Sequence, residues 1–416
     1  MSGVAEASSA YLSEVTSTTI PVGYKQTEVG VTPEDWQVTT VGKVVSITTG
    51  NKNTQDKVVD GLYPFFVRSQ QVERINTYSF DGEGVLTAGD GVGTGKIFHH
   101  IDGKFDFHQR VYLMYNFGDE LDGYYFYIYF SNNFYDRIMS MTAKSSVDSV
   151  RREMIADMLM VMPPRAEQTA IANVLSDVDA LISDLGKLIA KKQAIKTATM
   201  QQLLTGRTRL PQFALRDDGT PKGTKLSELG EIPEDWEVSK IGDFAPLQRG
   251  FDLPSSNRVD GQYPVVYSNG IVNTHCHFQV KGPGVVTGRS GTLGKVHYVE
   301  YDYWPHNTSL WVTKFNGTDP KFIYFVFTYI GFERFASGSG VPTLNRNDAH
   351  SYRVVVPSTE TEQTAIATIL SDMDAEIQAL EQRLGKTRQI KQGMMQELLT
   401  GKTRLVQPVN KESQHD

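Results

Sequence analysis

The hexapeptide EQTAIA occurs at residues 167–172 and again at residues 362–367, an offset of 195 residues. The agreement continues downstream, where 13 of 19 positions are identical between residues 167–185 and 362–380. Apolar residues recur in both copies every three or four positions, and no proline interrupts either run. This spacing predicts two long amphipathic helices, one in each half of the chain.

Two further motifs frame each predicted helix. LLTGRTRL at residues 203–210 returns as LLTGKTRL at residues 398–405, at the same offset of 195 residues. PEDW at residues 33–36 returns at residues 233–236, an offset of 200 residues. A segment about half as long as the chain is therefore duplicated, which predicts two similar domains with an approximate two-fold relation.

Charge along the two predicted helices indicates how they pair. The first carries only acids between residues 166 and 185 and only bases between residues 186 and 210, and the second is polarised in the same sense. Antiparallel packing brings acidic ends against basic ends, whereas parallel packing faces like charges. We therefore predict an antiparallel pair. The alternative is that each polarity only complements the dipole of its own helix.

The segments between PEDW and the helices have β character. Short apolar runs separated by Gly and Asp predict strands, and the aromatic stretches 124–139 and 322–335 predict helices packed on a sheet. The predicted strands are residues 58–59, 63–67, 111–115, 265–267, 284–287 and 310–312. The predicted fold class is α+β: two β-rich domains joined by two long helices packed as an antiparallel coiled coil, with internal pseudo-two-fold symmetry.

These elements divide the chain into seven parts. Trp36 and Trp236 precede a predicted strand in each β-rich domain, so we expect them to fill the cores rather than to stack on bases. The predicted parts are a flexible leader at 1–21, a first β-rich domain at 22–164, a first spacer helix at 165–206, a linker at 207–226, a second β-rich domain at 227–358, a second spacer helix at 359–401 and a tail at 402–416.

The composition is that of an ordinary globular protein, with 21% charged and 39% hydrophobic residues. No apolar run reaches the ~18 residues of a membrane span, and residues 1–20 lack the basic start and apolar core of a signal peptide. The single Cys276 excludes an intrachain disulfide and is typical of a cytoplasmic protein. The net charge of −7 provides no general attraction to nucleic acid, so DNA contact would need a local basic patch.

The motifs, their order, the duplication and the length together resemble the specificity subunit of type I restriction-modification enzymes, from about Val22 to Leu405. The resemblance implies that each β-rich domain is a target-recognition domain that reads one half of a split, asymmetric DNA sequence. It also implies that the two helices fix the distance between the readers and dock the modification subunits.

The resemblance assigns the chemistry to other chains. Methyl transfer, translocation and cleavage would belong to two modification subunits and to restriction subunits, which would hold S-adenosylmethionine, ATP and Mg²⁺. This chain would be a non-catalytic reader of double-stranded DNA without a cofactor. One alternative is a coiled-coil scaffold with two protein-binding heads. A complete DNA-modifying enzyme is disfavoured because neither half has room for a cofactor-binding domain.

Each β-rich domain contains a glycine-rich loop, TAGDGVGTGK at residues 87–96 and TGRSGTLGK at residues 287–295. Neither fits a nucleotide-binding P-loop, because the glycine spacing and the residue after the lysine are wrong. Glycines let a backbone approach DNA phosphates, which Lys96 and Lys295 could contact. The alternative is a tight hairpin with solvated polar side chains.

Arg289 and Asp90, each five residues before the last glycine of its loop, are candidate base readers. Arg289 could bind guanine, and Asp90 could accept a hydrogen bond from a cytosine amine. Arg346 takes the place of Arg151 at the offset of the helices, and either could contact DNA or form an interdomain salt bridge. The complete set of candidate DNA-binding residues is Lys52, Arg68, Asp90, Thr94, Lys96, Arg110, Arg151, Arg249, Arg258, Arg289, Ser290, Thr292, Lys295, Asn345, Arg346 and Asn347.

The sequence predicts no catalytic residue and no metal site. His275, Cys276 and His277 form a dense group of metal-binding side chains. Strand alternation would point Cys276 away from both histidines, and a structural zinc site needs four ligands. The chain also lacks the Asn/Asp-Pro-Pro-Tyr/Phe signature of methyltransferases.

Overall fold

The computed structural model describes residues 20–141, 149–337 and 342–406. Most of the predicted leader and tail, at residues 1–19 and 407–416, lies outside the described residues. In the described part of the chain, no helix is both long and apolar enough to cross a membrane.

The chain forms two compact units, which differ in how they are assembled from the sequence. The first unit takes its residues from both ends of the chain, up to Ser183 and from Gly385 onward, and the second is the continuous segment Asp184–Leu384. Two helices of 40 and 39 residues, Arg165–Leu204 and Glu360–Leu398, contribute residues to both units. The repeated segments that begin at Glu167 and Glu362 therefore lie in the predicted pair of long helices.

The first unit contains a six-stranded sheet in the order β4-β9-β7-β8-β5-β6, antiparallel except for the β5–β8 pair. Its described strands are β1 (Tyr24–Thr27), β2 (Gly30–Pro33), β3 (Gln37–Thr40), β4 (Ser46–Thr49), β5 (Tyr63–Phe66), β6 (Glu73–Ile75), β7 (Phe80–Ala88), β8 (Phe98–Phe107), β9 (Val111–Tyr115) and β10 (Leu159–Met162). Its helices are α1 (Val41–Val44), α2 (Gly123–Ser140), α3 (Arg152–Ala156), the start of α4 (Arg165–Leu204) and the end of α8 (Glu360–Leu398).

The second unit contains a four-stranded sheet, β14-β20-β17-β18, and a three-stranded sheet, β16-β15-β19. Its described strands are β11 (Thr224–Ser227), β12 (Gly230–Pro233), β13 (Trp236–Lys240), β14 (Leu247–Arg249), β15 (Tyr263–Tyr267), β16 (Gly270–His275), β17 (Gly284–Gly288), β18 (Val296–Val299), β19 (Trp304–Pro305), β20 (Ser309–Val312), β21 (Ala336–Ser337), β22 (Thr343–Leu344) and β23 (Arg353–Pro357). Its helices are the end of α4, α5 (Ile241–Phe244), α6 (Pro320–Ile330), α7 (Arg346–Ser351) and the start of α8, which ends in the first unit.

Two of the sequence predictions for local structure are wrong. Residues 58–59 form no strand; Val59 lies in a turn and is 90% exposed. Residues 322–335 are not one helix, because α6 ends at Ile330 and Gly331 follows with a φ of 72°, a left-handed conformation that ends the helix. The aromatic stretch 124–139 lies inside α2, as predicted.

In each unit the start of one long helix packs against the end of the other. In the first unit, Ile171 and Leu175 of α4 share a core with Leu398 at the end of α8. Lys391 of α8 donates to Asp179 of α4, with 2.7 Å between Nζ and Oδ1. The acidic start of α4 therefore meets the basic end of α8, as antiparallel packing requires.

The second unit shows the reciprocal arrangement. Met200 and Leu203 near the end of α4 share a core with Leu370 near the start of α8. Lys192 of α4 forms an ion pair with Glu376 of α8, with 2.6 Å between Nζ and Oε1. The prediction of antiparallel helices is confirmed, and the charge polarity that motivated it supplies ion pairs in both units.

The repeated motifs meet in a cluster that we call the Arg–Glu clamp. In the first unit, Arg404 of the LLTGKTRL motif donates to both carboxylate oxygens of Glu167, at 2.7 Å from Nε and 2.6 Å from Nη2. It also donates to both oxygens of Asp35, at 2.9 and 2.8 Å. Trp36, which is fully buried as predicted, donates from Nε1 to Glu167 at 3.1 Å. Glu167 is only 1% exposed, so its charge depends on these donors.

The second unit has the same clamp built from the other copies of the motifs. Arg209 donates to Glu362 at 2.8 Å from Nε and 2.7 Å from Nη2, and to Asp235 at 2.8 Å. Trp236, also fully buried, donates to Glu362 at 3.3 Å. Each clamp thus joins the PEDW and EQT motifs of one repeat to the arginine that ends the other repeat.

The Gln and Thr of each EQT motif hold the N-cap residue of a helix, α2 in the first unit and α6 in the second. In the first unit, the backbone N–H of Asp122 donates to Gln168 Oε1 at 2.9 Å, and Thr169 donates to Asp122 Oδ2 at 3.2 Å. Asp122 caps α2 by accepting from the N–H groups of Tyr124 and Tyr125. The corresponding residues of the second unit are Gln363, Thr364 and Asp319, which caps α6.

The second clamp predicts acid sensitivity of the second unit. Burial alone would raise the pKa of Asp235, but hydrogen bonds from Arg209 and Lys222 outweigh it and lower the pKa from 3.8 to about 2. A carboxyl group whose pKa is lower in the folded state than in the unfolded state stabilises the fold at pH values above its unfolded pKa. That contribution is lost as pH falls through the folded pKa of about 2. We expect the unfolding free energy of the second unit to fall between pH 5 and pH 2, and to fall less in Asp235→Asn.

Urea unfolding followed by amide hydrogen exchange at several pH values measures this dependence for each unit separately. The control is Asp217→Asn, which neutralises an exposed carboxylate outside the clamp and should leave the wild-type pH dependence unchanged. An Asp235→Asn profile as steep as that of the wild type would contradict the prediction.

Candidate nucleic-acid interface

The first glycine-rich loop leaves the sheet at the end of β7. The backbone N–H of Gly89 donates to the carbonyl of Arg110 at 2.8 Å, and its carbonyl accepts from Val150 N at 2.7 Å. Asp90 then forms an isolated antiparallel bridge with Ser149. These bonds fix the backbone at the base of the loop, next to the residues that precede β9 and α3.

The second loop is held in the same way. Arg289 N donates to the carbonyl of Thr308 at 2.8 Å, and the carbonyl of Arg289 accepts from Leu344 N at 2.8 Å. Arg289 therefore corresponds to Gly89. Arg289 and Asp90 are therefore not equivalent positions, although each lies five residues before the last glycine of its loop.

The mismatch arises because the two loops differ in length. A threonine hydroxyl closes the base of each loop: Thr87 donates to the carbonyl of Ile97, and Thr287 donates to the carbonyl of Lys295. The separation is ten residues in the first loop and eight in the second. Counting from the last glycine therefore compares positions that are not equivalent.

Three charged side chains meet at the base of the first loop. Arg68 Nη1 donates to Asp90 Oδ1 at 2.7 Å, and Arg110 Nη1 donates to Asp90 Oδ2. Burial would raise the pKa of Asp90, but the two arginines lower it below its usual value. Burial also lowers the pKa of the neighbouring His108, and Arg68 lowers it further. The cluster therefore holds a carboxylate between two arginines beside a neutral histidine, with a net charge of about +1.

This geometry changes the role predicted for Asp90. Each of its carboxylate oxygens already accepts one hydrogen bond from a guanidinium, so a cytosine amine would have to share an oxygen with an arginine. The exposed groups of the cluster are the arginines, since the side chains of Arg68 and Arg110 are 39% and 59% exposed against 16% for Asp90.

The equivalent place in the second unit contains hydroxyl groups. His108 N donates to the carbonyl of Phe66, and His306 N donates to that of Val266, both at 2.9 Å. In this register, Ser268, Ser290 and Thr308 of the second unit are equivalent to Arg68, Asp90 and Arg110 of the first unit. Thr308 lies with Oγ1 3.0 Å from Nδ1 of His306. Charge at the base of this loop comes instead from Arg289.

Arg289 is half-buried in the second loop. Among the described residues its side chain has no hydrogen bond or ion pair, so the guanidinium is available to a ligand. Lys295 at the end of the loop is exposed. Arg249 is paired with Asp252 at 2.8 Å, which leaves it partly neutralised. Thr292, the remaining loop candidate, is half-buried.

The first loop packs on α2 through its glycines. Gly95 has a φ of 69°, and a Cβ there would lie 2.4 Å from Ile138 Cδ1 of α2. This glycine is therefore required for packing of the loop on α2. Thr94 is buried, and its hydroxyl donates to the carbonyl of Gly91 at 2.6 Å, so it shapes the loop. Lys96 is exposed, with its ammonium 5.2 Å from the ring centre of Tyr135.

The predicted equivalence of Arg151 and Arg346 is also wrong. Arg151 is the N-cap residue of α3, whereas the N-cap residue of α7 is Asn345 and Arg346 is the first residue inside that helix. Arg151 therefore corresponds to Asn345. Asn345 accepts from the backbone N–H of Asn347 at 3.0 Å, so it stabilises α7. Arg151, Arg346 and Asn347 are exposed.

The two remaining candidates are Lys52, whose backbone forms an isolated bridge with His108 near Arg110, and Arg258 of the second unit. Lys52 is 4.0 Å from the buried Asp106, and Arg258 is 3.9 Å from the exposed Asp260. Neither contact is short enough for a strong ion pair. The structure thus brings Arg68, Asp90 and Arg110 together and leaves these two residues outside that cluster.

His275, Cys276 and His277 lie closer together than strand alternation predicts. One ligand atom from each of these residues lies within 4.8 Å of the others, so strand alternation does not separate them. The nitrogen Nδ1 of the buried His275 is 3.0 Å from the carbonyl of Val259, and Cys276 Sγ is 3.0 Å from Nδ1 of His277. These protein contacts compete with metal binding by the three residues.

Several residues at the loop bases had no signal in the sequence. His108, His306, Ser268 and Thr308 lie in runs without a recognisable motif. Their positions become comparable only through the backbone bonds that set the register of each loop. A search for polar residues adjacent to β9 and β20 would have found His108 and Thr308.

Comparison with known proteins gives consistent matches over most of the chain. A family model described as "Type I restriction modification DNA specificity domain" matches residues 33–197 and 233–392. The chain is 24% identical to a candidate type I restriction enzyme specificity subunit of Methanocaldococcus jannaschii, covering 92% of this chain and 97% of that one. It is 27% identical to the EcoDI specificity subunit of Escherichia coli over 55% of this chain and 53% of that one. The crystal structure of a type I restriction-modification S subunit from M. genitalium has the same fold, with a TM-score of 0.64 at 18% identity over 87% of this chain and 96% of that one.

Proposed function

Because the chain belongs to the family of type I restriction-modification DNA specificity subunits, we propose that its two heads each read one half of a split, asymmetric DNA target. One domain match in each half of the chain supports one reader per unit. The chain itself is non-catalytic in this proposal. Two modification subunits and the restriction subunits supply methyl transfer, translocation and cleavage, together with S-adenosylmethionine, ATP and Mg²⁺.

The proposal is supported above all by the chemical difference between the side chains at the base of the first loop and those at the base of the second. Both units use the same backbone bonds to hold the loop, but the side chains presented there are chemically different. The first unit presents two arginines bound to Asp90, and the second presents hydroxyl groups beside Arg289. Equivalent frames with different polar groups suit two dissimilar half-sites, since base identity is read by donors and acceptors at base edges.

The helices are proposed to serve as the spacer and as the docking surface for the modification subunits. Leu188 and Ile195, both in the second unit, lie seven residues apart along α4, and they are 39% and 42% exposed. Apolar residues at this spacing share one helix face. An exposed apolar face supports docking of a partner protein. We further propose a cytoplasmic location, where the unpaired Cys276 would stay reduced.

The proposal predicts a local effect of Arg289→Ala on the target sequence. Removing the available guanidinium should relax base discrimination at one position of one half-site by about 1–3 kcal/mol, or roughly 5- to 150-fold. The other half-site should be read as before, because the first unit is untouched. Methylation maps of host DNA, made with the modification subunits present, identify the target of the wild type and of the variant.

The control is Lys225→Ala, which removes an exposed charge from β11, away from the loop. We expect it to leave both half-sites unchanged. A complex that binds all duplexes equally, or none, would remove the proposal and favour a scaffold with two protein-binding heads. If Arg289→Ala lost base discrimination in both half-sites, this would contradict the assignment of one reader to each unit.

A further inference from the structure

The base of the first loop positions two arginines through one carboxylate. Arg68 follows β5, Asp90 follows β7 and Arg110 precedes β9, so three separate segments contribute. Each oxygen of Asp90 accepts from a different guanidinium, through Nη1 of Arg68 at 2.7 Å and Nη1 of Arg110. The backbone of Asp90 is itself fixed by its bridge to Ser149. The carboxylate is therefore a fixed point between two long, flexible side chains.

We propose that Asp90 is a positioning residue that holds Arg68 and Arg110 as a pair for guanine recognition in the half-site read by the first unit. This inference rests on the proposed function. A guanidinium has five N–H donors, and Asp90 uses Nη1 of each arginine. The remaining donors can bind O6 and N7 of guanine in the major groove, which is the commonest base contact of arginine.

Asp90 restricts both arginine side chains before DNA binds, which favours specific recognition. Free arginine side chains lose rotamer freedom when they bind DNA, and that loss opposes binding. Here Asp90 has already restricted both side chains while leaving them 39% and 59% exposed. Because two positive charges face one negative charge, the cluster still attracts phosphates.

The second unit provides an internal comparison. Its equivalents of the three residues are Ser268, Ser290 and Thr308, which carry no charge. The described residues of the second unit place no carboxylate on Arg289, so that arginine is not held in this way. The inference therefore applies to one half-site only, which makes it separable from a general effect on DNA binding.

The test uses the full chain assembled with its modification subunits. Competition binding is measured with duplexes that carry each single base change in the mapped target. We expect Asp90→Ala to reduce discrimination at a guanine of the first half-site by about fivefold or more. Affinity for unrelated duplexes should stay the same or rise, because a negative charge has been removed. The second half-site should be read as in the wild type.

Three further variants separate positioning from other roles. Asp90→Asn keeps one oxygen acceptor and should retain part of the discrimination at guanine. Arg110→Lys keeps the positive charge but loses the forked donors, so it should lose discrimination at guanine with little change in the salt dependence of binding. Ser290→Ala changes the equivalent position of the second unit and should leave the first half-site unchanged.

The outcomes distinguish this inference from the proposed function. A wild-type complex that does not discriminate between duplexes defeats the proposed function itself. A discriminating wild type with an Asp90→Ala variant that discriminates equally well overturns only the positioning role. Equal loss in both half-sites would indicate a structural defect and likewise overturn it.

Discussion

Arg404→Ala is expected to destabilise the first unit by about 3–5 kcal/mol, which is the usual cost of removing one partner from a buried ion pair. Arg404 is the shared donor to Glu167 and Asp35, and Glu167 is only 1% exposed. Its removal leaves a buried carboxylate with the indole N–H of Trp36 but without a cation. Arg209→Ala should destabilise the second unit by a similar amount, because Glu362 is 2% exposed.

Amide hydrogen exchange measures this effect, since it reports stability separately for each unit. Arg404→Ala should lose protection in residues of the first unit while the second unit keeps it, and Arg209→Ala should show the reverse. The matched control is Lys402→Ala, which removes an exposed positive charge two residues from Arg404. Equal losses in Arg404→Ala and Lys402→Ala would show that the clamp adds no stability.

A second variant identifies the source of the loss. In Arg404→Ala with Glu167→Gln, the group left in the core is neutral and still able to accept from Trp36. The double variant should therefore recover part of the stability, because an uncharged amide is less costly to bury than a carboxylate. No recovery would mean that the loss comes from packing of the arginine and not from a stranded charge.

Gly401→Ala is expected to destabilise the first unit by roughly 2–5 kcal/mol, the combined cost of left-handed backbone and of overpacking. Gly401 follows α8 with a φ of 71°, a conformation that glycine adopts without strain. A Cβ at this position would lie 2.5 Å from Cδ of Pro33 and 3.2 Å from the ring of Trp36. Gly206 has the same geometry against Pro233 in the second unit.

The matched control is another glycine of the same segment. Gly385 lies inside α8, is exposed, and has open space around its Cα. Gly385→Ala should therefore stabilise the protein by about 0.5–1 kcal/mol, since alanine is the better helix former. Urea unfolding monitored by circular dichroism compares the two variants. Changes of the same sign would contradict the geometric explanation.

The long helices were predictable because their signal is local and was present twice. The apolar spacing between residues 167 and 195 determines a helix without reference to the rest of the chain. The aromatic pattern at residues 322–335 continues through Gly331, so it does not reveal the end of α6 at Ile330. Val59 was assigned to a strand by residue type, although nothing in the neighbouring sequence required it to be buried.

The candidate site was less predictable because its residues come from distant segments. The offset between equivalent positions changes along the chain, from 200 at Trp36 and Trp236 to 198 at His108 and His306. It is 194 between Arg151 and Asn345. Insertions in the loops cause these changes, and a single sequence does not show where they fall. Arg68, Asp90 and Arg110 were each identified as candidates, but their mutual hydrogen bonds depend on the register of three strands.

The crossed clamps have a consequence for the order in which the protein folds during synthesis. A ribosome that has reached residue 384 has supplied every residue of the second unit, including Arg209. The first unit at that moment still lacks Arg404 and the end of α8. The domain that is translated first is therefore completed last, which reverses the usual order from the amino terminus. A messenger truncated just before the codon for Arg404 would damage the domain encoded at its beginning.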